Sequence, residues 1–153
     1  ALSLLPESVQ GPIVVMNGDL LTRVNFEHLL DYHNQHGGHA TMCVRQFDMK
    51  VPYGIVEMKE NCLTSLKEKP VFTHFINAGI YVVESSMLHF LQESEHIHMT
   101  DLFNLLIKKG LKVTTFPIHE YWLDIGQPID FEMAQTEFSD VFPEMCALPG
   151  DND

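Results

Sequence analysis

The sequence predicts an α/β protein, a layered αβα fold whose sheet is mostly parallel and carries an antiparallel hairpin insertion. Three observations lead there. Short purely apolar runs such as Ile13-Val14-Val15-Met16 recur, as expected of strands covered on both faces. Stretches with apolar residues three and four apart separate those runs. Turn residues, including Gly37-Gly38 and Gly110, fall at the junctions.

The elements follow in order. Residues 13–16 form the first strand. A helix spans residues 25–33, with the spacing 26, 29, 30 and 33, and Gly37-Gly38 stops it. Residues 40–44 read as a second buried strand. Ile55-Val56-Glu57-Met58 and Leu63-Thr64-Ser65-Leu66 flank Lys59-Glu60-Asn61-Cys62 and read as a hairpin. A strand over residues 75–83 and a helix near 86–93 come next. The helix over residues 100–109 has Thr100 as its expected cap, Leu102, Leu105 and Leu106 on one face, and Gly110 at its end. Residues 111–118 alternate partly, as a strand does. Residues 128–138 are helical, with Pro128 in the first turn. This gives one domain over residues 1–142 and a frayed tail or linker over 143–153.

A chain of 153 residues buries about 68–70% of its unfolded surface, enough for one core. The longest apolar runs are far shorter than the roughly 20 residues of a membrane span, so no membrane partner is expected. Residues 1–16 lack a basic leader region, and residues 1–6 read as the end of a helix that opens upstream. Three cysteines, Cys43, Cys62 and Cys146, make an odd count without close pairing, so a reducing cytoplasm is expected. Nine Lys+Arg against 21 Asp+Glu give a net charge of −12, which argues against nucleic-acid partners. The same charge opposes phosphate binding unless a metal or a further basic segment offsets it.

Three segments carry chemistry. Asn17-Gly18-Asp19 ends the first strand, and ligands of open α/β sheets collect at such ends. Gly18 would allow a tight turn, and Asp19 offers a hard oxygen donor to Mg²⁺. An ordinary turn or a helix cap explains the tripeptide equally well. Trp122-Leu123-Asp124-Ile125-Gly126 places a second Asp after another short apolar run; its bland counterpart is a helix-start turn with a core Trp. Glu68-Lys69-Pro70 offers a point charge for a phosphate and a carboxylate for sugar hydroxyls, or simply a solvated charged face. Asn77-Ala78-Gly79 puts small residues mid-strand, for a ligand or for a close neighbouring strand. Tyr53-Gly54 suits a backbone contact or a bend. His33, His36 and His39 straddle Gly37-Gly38, so helical spacing fails across them and zinc is disfavoured, while Cys43 reads as core.

Taken jointly, residues 13–19, 53–56, 68–70, 77–81 and 121–126 match the motif order of sugar-phosphate nucleotidyltransferases. The sequence resembles the mannose-1-phosphate guanylyltransferase and glucose-1-phosphate thymidylyltransferase branches over roughly residues 1–138. The resemblance implies a Rossmann-like nucleotide-diphospho-sugar transferase fold, truncated at the N-terminus. It implies Mg²⁺ held by Asp19 and Asp124, with Lys69 as the third catalytic residue, on the sugar phosphate. Gly54, Glu68, Lys69, Asn77 and Gly79 would bind substrate, and a sugar 1-phosphate and a nucleoside triphosphate would be the partners. The Gly-rich basic loop that opens such enzymes is not in these 153 residues. The chain is therefore expected to be the sugar and metal half-site, inactive alone and prone to form homo-oligomers through an exposed sheet edge. The rival readings are a non-catalytic sugar-phosphate-binding or regulatory module and a metal-dependent glycosyltransferase.

Overall fold

A computed structural model of the protein describes residues 5–6, 8–91 and 98–146. The first half contains β1 (Pro12–Met16), β2 (Leu20–Thr22), α1 (Phe26–His36), β3 (Ala40–Lys50), β4 (Ile55–Lys59), β5 (Cys62–Lys67) and β6 (Val71–Glu84). A 3₁₀ segment (Ser85–Leu91), α2 (Met99–Lys108), β7 (Val113–Pro117), β8 (Trp122–Asp124), α3 (Pro128–Val141) and α4 (Pro143–Cys146) complete it.

The central sheet has the order β1-β6-β3-β7. β7 lies parallel to β3, and β6 runs antiparallel to β1 and β3. β1, β3 and β7 therefore point one way, which makes the sheet mostly parallel in strand direction. The reversed strand lies inside the sheet because β3 and β6 are two arms of one long ribbon. The β4–β5 hairpin turns the chain at its tip and sends β6 back along β3.

Side chains of β6 alternate between two helix layers. Tyr81 and Val83 pack with Leu102, Phe103 and Leu106 of α2. Ala78, Ile80 and Val82 pack with Leu29 of α1, Cys43 and Ile118. That coverage on both faces is why residues 78–83 read as a continuous apolar run. β1 departs from the expected fully covered strand: Val14 and Met16 are 37% and 42% exposed. It is an edge strand, with no second partner among the described residues.

Local chemistry sets the helix ends. Asn25 caps α1 by accepting from the His28 amide at 3.0 Å, and Gly37 ends it at φ +58°. At α2 the expected Thr100 cap is replaced by His98, which makes no side-chain cap bond; Thr100 falls inside the first turn. Gln127 and Asp130 form a capping box at α3, with Pro128 in its first turn. The helix expected near 86–93 is the shorter 3₁₀ segment, and Gln92 and Glu93 lie outside the described residues. The expected tail begins as α4, tied back by an Arg23–Glu144 ion pair at 3.2 Å; residues 147–153 lie outside the described residues.

His33 is buried in α1, not free for a ligand. Its Nδ1 meets Thr41 Oγ1 at 2.7 Å and its Nε2 meets Glu84 Oε1 at 3.0 Å, fastening the helix to the sheet. No helix among the described residues is long and apolar enough to cross a membrane.

Burial, and secondarily the charge of Glu120, pushes the Cys43 thiol up to about 12, so it has almost no thiolate near neutrality. Cys62 is exposed. Iodoacetamide at pH 8 should therefore modify Cys62 in the folded chain and Cys43 only in denaturant, as read by peptide mass spectrometry. Rapid labelling of native Cys43 would contradict the packing described.

Candidate functional site

At the carboxyl end of β1 the chain leaves through Asn17-Gly18-Asp19 and enters β2, a strand too short to give a period signal in sequence. β2 pairs antiparallel with β8, Leu20 opposite Asp124 and Thr22 opposite Trp122. The Ile125 amide extends this ladder by donating to the Asp19 carbonyl at 2.8 Å. Asp19 and Asp124 thus stand on neighbouring rungs, both exposed. Asp19 sits in the turn ahead of the strand, so pleat alternation does not fix where its carboxylate points.

Two bonds hang this ladder on the central sheet. The Trp122 indole N–H donates to the Ala78 carbonyl at 2.8 Å, and the Asn17 amide donates to the Gly79 carbonyl at 2.9 Å. Trp122 is therefore a positioning element for β8 and more than core filling. Two exposed hard-oxygen donors suit Mg²⁺, which keeps several waters and completes its shell with phosphate oxygens. No group of three or more metal-ligating side chains gathers among the described residues, so an ion here would rely on those outside ligands.

Beside the ladder, β6 makes a left-handed kink. Gly79 has φ +70°, and a Cβ there would lie 2.8 Å from Asn17 Nδ2 and 3.0 Å from Leu20 Cδ1. Asn77 braces the kink: its Oδ1 accepts from the Gly79 amide at 2.9 Å, and its Nδ2 donates to the Tyr81 hydroxyl at 2.7 Å. The space next to Gly79 is filled by Asn17 and Leu20. Gly18, by contrast, has no left-handed φ and a Cβ there would meet nothing, so the expected need for glycine in this turn is not met.

The other expected residues sit at the base of the hairpin. A Cβ on Gly54 would lie 3.0 Å from Glu68 Oε2, so the bend at Gly54 touches the Glu68 carboxylate closely. Lys69 Nζ is 4.0 Å from Glu68 Oε1, with both side chains largely exposed. Lys69 holds φ +41°, a strained conformation for a residue with a Cβ, and such strain concentrates at functional positions. The structure thus sets the backbones of Asp19 and Asp124 on neighbouring rungs beside the kink of Asn77 and Gly79, and places Gly54, Glu68 and Lys69 at the base of the hairpin. The run of β6 from Val71 to Gly79 separates them, about 26 Å if the strand is straight.

The family described as nucleotidyl transferase matches residues 1–140. A mannose-1-phosphate guanyltransferase of Pichia angusta is 33% identical over 125 residues, covering 78% of this chain and 34% of that relative. The chain thus spans about a third of the length of the curated relatives it matches. Among solved structures, a Bacillus anthracis protein assigned as a glucose-1-phosphate thymidylyltransferase, in complex with sucrose, superposes with a TM-score of 0.61 at 18% identity. The overlap covers 86% of this chain and 56% of that one. HddC of Yersinia pseudotuberculosis, complexed with GMP-PN, gives a TM-score of 0.55 at 20% identity, over 84% of this chain and 56% of its own. At such identities these two likenesses show the fold alone.

Proposed function

The chain belongs to the nucleotidyl transferase family, and on that premise we propose that it supplies the sugar- and metal-binding part of a Mg²⁺-dependent enzyme. The reaction joins the nucleotidyl group of a nucleoside triphosphate to a sugar 1-phosphate and releases pyrophosphate. The observation that carries this reading is the β2–β8 ladder, which puts two aspartates distant in sequence on adjacent rungs at a strand end.

The chemistry is an in-line displacement. A phosphate oxygen of the sugar 1-phosphate bonds to the α-phosphorus as the bond to pyrophosphate breaks. That oxygen arrives ionised, so no side chain need remove a proton. Asp19 and Asp124 would hold Mg²⁺, which when bound neutralises phosphate charge and orients the triphosphate. Lys69 would place its ammonium on the sugar phosphate, Glu68 would accept from sugar hydroxyls, and Gly54 would keep backbone open to them. Asn77 would offer its remaining amide hydrogen, and Gly79, walled by Asn17 and Leu20 with its amide and carbonyl already bonded, would act only through the kink that holds Asn77. Joining the two clusters requires the β3–β6 ribbon to curl over the substrate. The 153 residues hold no Gly-rich basic loop, so the triphosphate cradle would come from elsewhere in the protein. A cysteine content without close pairs agrees with a cytoplasmic setting.

Pyrophosphate release with sugar 1-phosphates and each nucleoside triphosphate tests this. The full-length protein should release it with Mg²⁺ and stop in EDTA, while residues 1–153 alone should not. Turnover by the 153 residues would refute the half-site, and silence of the full-length protein would refute the activity. In the full-length protein, Lys69→Ala should raise KM for the sugar phosphate about tenfold or more, the loss of one charge-assisted contact. Metal affinity should not move, and a parallel fall in both would place Lys69 elsewhere.

A further inference from the structure

The hairpin at the ribbon tip carries an apolar face with nothing packed on it among the described residues. In the β4–β5 ladder Val56 stands opposite Leu66, and Met58 opposite Leu63. Opposed residues share a face, as do residues two apart on one strand. Leu63 and Leu66 are three apart and would point to opposite faces of a regular strand. A bulge prevents this: Thr64 is the extra residue, its hydroxyl donating to the Glu57 carbonyl at 3.0 Å, and all four apolar side chains stay together. Val56, Met58, Leu63 and Leu66 are 48%, 72%, 63% and 61% exposed. Both outer edges of this two-stranded sheet are also unpaired among the described residues. A lone hairpin is marginal in water and needs further strands or a cover.

Charge indicates the occupant. Residues 45–69 hold five of the nine Lys+Arg and only four of the 21 Asp+Glu, a balance of +1, which leaves −13 on the rest of the chain. Two copies approaching body to body would repel, whereas two hairpins meet with mixed, nearly cancelling charges. A polycationic partner would be drawn to the body in preference to the hairpin. The four side chains offer roughly 400 Å² of surface, about half of the ~800 Å² each partner buries in a standard interface. We infer that two copies of this chain associate through their hairpins, apolar face on apolar face, giving four strands and a shared core.

Sedimentation velocity between about 1 and 100 µM tests it. The chain should dimerise, and the double variant Met58→Lys, Leu63→Lys should weaken association at least about 30-fold, roughly the loss of two buried apolar side chains. At concentrations where the wild type is monomeric, circular dichroism and Tm should match the parent, because both sites are exposed in the single chain. Val14→Lys, on the uncovered edge strand, should leave association intact. A bismaleimide crosslinker with a long spacer gives a second readout on the unaltered chain. Cys62 pairs with Lys59 on the opposite face of the hairpin, so it stays accessible and should yield a Cys62–Cys62 crosslink. A wild-type monomer at 100 µM, an unaffected double variant, association lost with Val14→Lys, or no such crosslink would each overturn the proposal.

Discussion

Replacing either Asp19 or Asp124 by Asn should abolish most metal-dependent turnover of the full-length protein, a fall of about 100-fold or more. No dense ligand cage gathers among the described residues, where the two carboxylates would be the charges that hold the ion. Asn keeps the shape and an acceptor oxygen but removes one full charge, and misplaced electrostatic groups at a reacting phosphate cost factors of about 10²–10³. The isolated chain offers a readout independent of turnover. Mn²⁺ binding followed by electron paramagnetic resonance should weaken about tenfold or more in either variant. Because the chain carries −12, a distant charge change is the necessary control: Glu60→Gln at the hairpin tip removes the same charge and should leave Mn²⁺ affinity within about twofold. Equal weakening by Glu60→Gln would mean the ion responds to the overall field, and unchanged binding in both Asp variants would remove the ladder from the metal site.

Much of this site was legible because its residues mark strand ends. The short apolar runs stop where their strands end, with Asp19 in the turn after β1 and Asp124 the last residue of β8. The layer order was legible for a related reason: residues 78–83 are covered on both faces, so their apolar run is unbroken. The sequence did not reveal β2, whose three residues carry no period, and so it could not show that the two aspartates share one ladder. It also hid the reversal of β6. Strand direction is a property of the ribbon that β3 and β6 form together, and the hairpin gives its hydrophobic pattern without saying which strands its arms extend. The two ambiguous glycines resolved in opposite ways. Gly18, read as allowing a tight turn, meets nothing, whereas Gly79 sits where the side chains of Asn17 and Leu20 crowd it.

Gly79→Ala should be the most damaging conservative change outside the hydrophobic core. Holding a residue with a Cβ in the left-handed region costs about 1–2 kcal/mol. Here the new methyl would also approach Asn17 Nδ2 at 2.8 Å and Leu20 Cδ1 at 3.0 Å, so either the kink or the turn must move. A total of about 2–3 kcal/mol is expected, and for a chain of this size that lowers Tm by about 4–12 °C. Gly37→Ala separates the two causes. Gly37 has φ +58° at the end of α1 but a Cβ there meets nothing, so it should lose only the conformational part. Gly54→Ala is the converse: its φ is not left-handed, and its close neighbours are the movable ends of Glu68 and Leu66, so it should fall within about 0.5 kcal/mol of the parent. Urea unfolding of the three variants should therefore rank Gly79 well above Gly37, and Gly37 above Gly54. The Gly79 variant should also lose Mn²⁺ affinity while the other two keep it, because displacing Asn17 drags Asp19, two residues on, off its rung opposite Ile125. Equal losses at Gly79 and Gly37 would show that Asn17 yields freely, and that the kink in β6 does not hold the aspartate ladder in place.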